Sequence, residues 1–100
     1  MTFTQDMQIF DEKEWEKLVE ELSLPPRQSQ IIQHLFQGKS DKQIAQDMGI
    51  ALPTVRTHLG RLFEKFNTQD RSELILYIIN YFRHGRETKA YHHKQLHHNY

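Results

Sequence analysis

Trp15, Leu18, Val19 and Leu22 recur at i, i+3, i+4 and i+7, so they share one face of a helix that has to lie against something. Asp11 and Glu14 stand before it at the spacing of a capping box, and Phe10 and Trp15 at that of a hydrophobic staple. Pro25-Pro26 breaks the pattern, because a proline disfavours helical geometry in the residue before it yet suits a first turn. A second stripe, Ile31, Ile32, Leu35 and Phe36, predicts a helix over about 26–37, closed by Gly38. Ser40 and Gln43 form another capping box. After it Ile44, Ala45 and Met48 turn inward, and Gly49 ends the helix after two turns.

From Pro53 onward, Val55, Leu59, Leu62, Phe63 and Phe66 make a stripe of about four turns, with Thr54, Arg56, Thr57, Gly60 and Arg61 opposite. Asn67 to Asp70 reads as a turn, and Asp70 with Glu73 caps a last helix expected over 71–83. Leu74 to Phe82 is apolar at eight of nine positions, more than one face of a small domain can bury, so its second side needs a cover. At 100° per residue Leu74, Ile78 and Phe82 fall on one side, Leu76 and Ile79 on the other with Arg83 between. Nothing alternates as a strand does, and nothing repeats. The pattern predicts an all-α chain of five helices.

One hundred residues without cysteine describe a single small domain stabilised by packing alone. The longest apolar run, Leu74 to Ile79, has six residues against the roughly 20 of a membrane span. The acidic start lacks the basic and apolar regions of a signal peptide, so the expected location is cytoplasmic, with no membrane partner. Zero net charge hides a division: residues 1–24 carry −5, residues 25–66 carry +3 and residues 67–100 carry +2. The middle can face a polyanion; the front cannot.

Two short helices joined by a tight glycine-containing turn, here residues 40–48 and 52–66, are the arrangement that lays a second helix in the DNA major groove. Arg there can bond guanine bidentately, and a Thr methyl can touch thymine. Thr54, Arg56, Thr57 and Arg61 are the candidate readers, with Lys42 and Lys65 as further DNA-binding candidates and Lys42 suited to a phosphate. The runs Leu24-Pro25-Pro26-Arg27, Gly38-Lys39-Ser40-Asp41-Lys42-Gln43-Ile44-Ala45, Met48-Gly49-Ile50, Thr54-Val55-Arg56-Thr57-His58-Leu59 and Asp70-Arg71-Ser72-Glu73-Leu74 resemble the LuxR/GerE-type helix-turn-helix domain of bacterial transcription regulators. The resemblance covers Leu24 to about Phe82. It implies a four-helix bundle, to which the Trp15–Leu22 stripe adds one N-terminal amphipathic helix, and sequence-specific binding of double-stranded DNA as a homodimer to regulate transcription. It also implies that Arg56 and Thr57 contact bases or backbone, that Lys42 contacts phosphate, and that helix 71–83 pairs two copies. With the face count, this assigns dimerisation to Ile75, Leu76, Ile79 and Arg83.

The expected division is an arm and acidic helix over 1–23, a DNA-binding domain over 24–84 and a polar His-rich tail over 85–100, frayed or only partly helical. Sigma-factor C-terminal domains share the Leu-Pro opening but normally stop at the recognition helix. Several residues depart from the family pattern: Pro25 and Gln28 replace the opening Thr and Glu, Ala51 the usual Ser cap, and Gly60 a residue that is often basic or polar. Ala51 forfeits about 0.5–2 kcal/mol of cap stabilisation, part of it offset by Pro53. His58 is expected in a structural hydrogen bond. His93 and His97 have chelating spacing, but four tail histidines without a fixed second layer of partners make no designed metal site. Scattered carboxylates and the lack of a glycine-rich phosphate loop argue against an enzyme, and no cofactor is implied. The acidic front helix is a candidate docking face for RNA polymerase or another regulator. The rival reading keeps this fold as a protein-interaction module with weak or no DNA binding.

Overall fold

The computed structural model describes residues 10–98, with side-chain surroundings as far as His84. Five helices follow one another, and the described residues contain no strand. Helix α1, Glu12–Glu21, starts at Asp11, whose carboxylate accepts the Glu14 N–H at 2.8 Å while the Glu14 carboxylate accepts the Asp11 N–H at 2.9 Å. The Phe10 and Trp15 rings meet at 5.8 Å, which completes the staple. Helix α2, Pro26–Phe36, has no side-chain cap. Helix α3, Asp41–Met48, has the full Ser40/Gln43 box. Helix α4, Leu52–Phe66, begins at Ala51 without a side-chain cap, and helix α5, Arg71–His98, begins with the Asp70 carboxylate accepting the Glu73 N–H at 2.9 Å.

Left-handed residues close the first four helices: Ser23, Gly38, Gly49 and Asn67. After α2 the Lys39 N–H reaches the His34 carbonyl and the Gly38 N–H the Leu35 carbonyl, a Schellman end. Serine and asparagine occupy the same geometry at 23 and 67 with φ 54°.

Ile31, Ile32, Ile44, Val55, Leu62, Leu74 and Ile78 are fully buried and form the centre of the core. Helix α4 is its axis, touching α2, α3 and α5. Helix α1 brings Leu18 and Leu22 to this core. Phe10 sits among rings from three helices: 5.4 Å from Phe36, 4.8 Å from Phe82, both edge-on, and against Trp15. Two polar contacts add to this attachment. The Lys65 ammonium donates to the Ser23 carbonyl at 2.7 Å, and the Tyr81 hydroxyl donates to Glu21 at 3.3 Å.

The cover needed by α5 is therefore partly internal. Ile75, Tyr77, Tyr81 and Phe82 are half-buried against the core, Tyr77 stacking on Phe66 at 4.9 Å, and burial, reinforced by Tyr81, pushes the Tyr77 phenol up. Leu76, 57% exposed, is the large apolar side chain left in water among the described residues.

Helix α5 does not stop at 83. Its backbone continues through Gly85 to His98, where a frayed or partly helical tail was expected. One internal glycine costs a helix only about 1 kcal/mol, and no proline follows to stop it. The side chains of His92, His93, His97 and His98 lie outside the described residues.

Candidate nucleic-acid interface

Helices α3 and α4 are joined by the three residues 49–51 and packed through Ile44, Ala45, Val55 and Leu59, all buried. Burying that face of α4 turns the other outward. Thr54, Arg56, Thr57, Gly60 and Arg61 are all exposed along it, and Lys42 is exposed in the first turn of α3. The helix period thus brings Thr54, Arg56, Thr57 and Arg61, four of the six sequence-chosen DNA candidates, onto one exposed side, and Lys42 follows Asp41, whose carboxylate reaches Arg56. Lys65 is the exception: eleven residues beyond Thr54, roughly 16 Å along the axis, its ammonium is bonded to the Ser23 carbonyl and closes the end of α1.

The Thr57 hydroxyl donates to the Pro53 carbonyl at 3.0 Å, one turn back along its own helix. Arg56 is the cation with the most informative surroundings. Its side chain is 64% exposed, and its Nε lies 3.5 Å from Asp41 Oδ2. Asp41 is itself held, because its Oδ1 accepts from Arg71 Nη2, and Arg71 Nη1 donates to the Lys39 carbonyl at 2.6 Å. The first residue of α5 thus ties the α2–α3 link to an acid at the start of α3, and that acid reaches the recognition helix. Sequence reasoning assigned no role to Asp41 or Arg71. Thirty residues separate them, and no local spacing signals the pair.

Two further polar features border this region. Lys39 Nζ lies 2.6 Å from Asp47 Oδ2 and 3.2 Å from His34 Nδ1, joining the end of α2 to the end of α3. Burial, then the Lys39 charge, holds the His34 imidazole below its ordinary pKa, while the Lys39 hydrogen bond lowers the Asp47 carboxyl. His58 does not make the expected bond at Nδ1: that atom is buried within α4's packing and has no partner among the described residues. His58 follows Thr57, and the turn of the helix that exposes Thr57 carries the His58 ring toward the protein.

On α5, Leu76 and Arg83 are exposed and Ile79 half-exposed, while Ile75, chosen with them from sequence, is packed against the core. Ile75 directly follows the buried Leu74, and a helix that buries Leu74 and Ile78 draws Ile75 in beside them. Among the described residues no group of His, Asp or Glu could hold a metal ion, and no helix is long and apolar enough to cross a membrane.

Residues 22–78 match the bacterial regulatory proteins of the luxR family. The HTH-type transcriptional regulator MalT of Vibrio campbellii is 34% identical over 80 residues, covering 71% of this chain and 9% of that protein. The uncharacterized transcriptional regulatory protein YhcZ of Bacillus subtilis is 32% identical over 66 residues, covering 66% and 31% respectively. The transcriptional regulatory protein LiaR of Bacillus subtilis is 31% identical over 55 residues, covering 55% and 26%. The chain spans less than a third of the length of these relatives. No solved structure gives a significant match.

Proposed function

The chain belongs to the luxR family of bacterial regulatory proteins, and from that premise we propose that it is a cytoplasmic, sequence-specific regulator of transcription that binds double-stranded DNA as a homodimer. The observation that carries this reading is the two-sidedness of α4: Val55, Leu59 and Leu62 are buried on one side, and Thr54, Arg56, Thr57 and Arg61 are exposed on the other. A helix anchored in this way can enter a major groove while its basic side chains reach base edges. Lys42, at the start of α3, is suited to the phosphate backbone. Pairing of two copies uses the exposed part of α5, Leu76 and Ile79 with Arg83. So small an apolar patch supports weak association that DNA tightens, and the two-fold axis then sets the half-site spacing.

Fluorescence anisotropy with labelled duplexes tests the reading. Arg56→Ala weakens the preferred duplex by about 1–3 kcal/mol if Arg56 reads a base. Lys42→Ala weakens all duplexes alike and reduces the salt slope by about one. Absence of duplex binding at low salt by the unaltered chain overturns the proposal.

A further inference from the structure

Gly60 is the ninth residue of the fifteen in α4, in the middle of the recognition helix. Glycine there costs the helix about a four- to fivefold loss in folding equilibrium relative to alanine. Gly38 and Gly49 have a reason inside the fold, since they take positive φ values of 78° and 67° and end their helices. Gly60 is not among the positive-φ residues. A close approach by another part of the chain is the usual alternative reason. That is also missing, because a Cβ built on Gly60 meets no atom within 4 Å beyond its chain neighbours and the backbone of its own helix turns. The fold of this chain would accept a side chain at 60 and be more stable for it.

We propose that Gly60 is a positioning residue for DNA: its bare backbone is where α4 comes down against the duplex. This rests on the DNA-binding reading above. Gly60 is exposed and lies one turn after Arg56 and Thr57 and directly before Arg61, on the same outward side. A helix with its side chains is about 10–12 Å across and the major groove about 12 Å wide. The fit has little slack. A position without a side chain lets the axis seat deeper, and the long flanking arginines then reach base edges on either side of the bare stretch. Glycine is the residue that permits such an approach of backbone to ligand.

The test uses the full chain and a duplex enriched by the unaltered protein from a random pool. Gly60→Ala and Gly60→Gln are compared with it by thermal unfolding and by anisotropy. Alanine raises Tm by about 4–8 °C while weakening the duplex about tenfold, a change of about 1.4 kcal/mol. Glutamine, also a good helix former, weakens it further. The opposite movement of stability and affinity separates this role from a structural one. Variants that bind as tightly as the unaltered protein, or a Tm that falls with alanine, overturn the inference and leave the DNA-binding reading intact. Failure of the unaltered protein to enrich any duplex overturns both, and its own binding curve tells the two failures apart.

Discussion

The centre of the bundle and its α1 end are held by different side chains. Around α4 the contacts are between branched aliphatics with no exposure at all: Ile31, Ile32, Ile44, Val55, Leu62, Leu74 and Ile78. At the α1 end, buried Leu18, Leu22 and Leu24 are joined by rings near the surface, with Phe10 at 7% exposure among the half-buried Trp15, Phe36 and Phe82. Aliphatic packing of that density specifies one arrangement of α2, α3 and α4, and with it the exposed side of α4 that carries Arg56 and Thr57. Aromatic packing at a rim attaches α1 to a unit already formed. The two regions meet at the far end of α4, where Lys65 bonds the Ser23 carbonyl.

The strongest test of this contrast is a pair of truncations. Leu62→Ala should lose about 2–5 kcal/mol in denaturant unfolding, as cavities in dense cores do. Phe10→Ala should lose about 3 kcal/mol, the low end for a buried ring because a site at the rim can collapse, and shift the Trp15 emission to the red while the helices remain. A larger loss from Phe10 would reverse the assignment of core and attachment.

A smaller effect separates the starts of the two helices of the helix-turn-helix. Helix α3 has its Ser40/Gln43 box, and α4 starts at Ala51 with none. Ala51→Ser should therefore stabilise the protein by about 1 kcal/mol, and Ser40→Ala should remove a similar amount. Equal midpoints for Ala51→Ser and the unaltered chain would mean that Pro53 alone sets the α4 start.

The smallest effect is a pH dependence. The folded state holds His34 below its ordinary value, so between that lowered pKa and about 6.5 the unfolded chain binds more protons. Stability then falls as pH drops through this window. His34→Gln should flatten the dependence from pH 7 to pH 5 in denaturant midpoints. The Asp47 carboxyl is also lowered, and its contribution is lost in a separate, more acidic range. An unchanged slope in the variant would remove His34 from the explanation.

Local pattern made much of this architecture legible. Asp11 with Glu14 and Ser40 with Gln43 are capping boxes because the partners are three residues apart, and Gly38 and Gly49 end helices as glycines do. The exposed side of α4 followed from its period. What could not be read are the joins between distant residues: Lys65 with the Ser23 carbonyl, Arg71 with Lys39 and Asp41, and Phe10 with Phe82. Lys65, chosen as a DNA-binding candidate, also caps a carbonyl 42 residues away, which no local spacing signals. Ser23 in left-handed geometry was hidden for another reason, since serine is not the residue that geometry normally selects. The backbone of α5 runs on past Gly85, in a stretch whose polar, His-rich composition gives no apolar period to extend the helix by.

Asp41 bears on how any titration of this protein with salt is to be interpreted. The usual inference takes the slope of log affinity against log salt as a count of the phosphates neutralised, each cation displacing condensed counterions. That count assumes cations with no internal anion beside them. Arg56 is 3.5 Å from a carboxylate that Arg71 keeps in place. Added salt screens the attraction of Arg56 to Asp41 as well as the proposed attraction of Arg56 to DNA, so the two dependences would partly cancel. On the proposed DNA-binding reading, a salt slope for this chain would understate the number of phosphates it covers, and Asp41→Asn should make it steeper without adding a single contact.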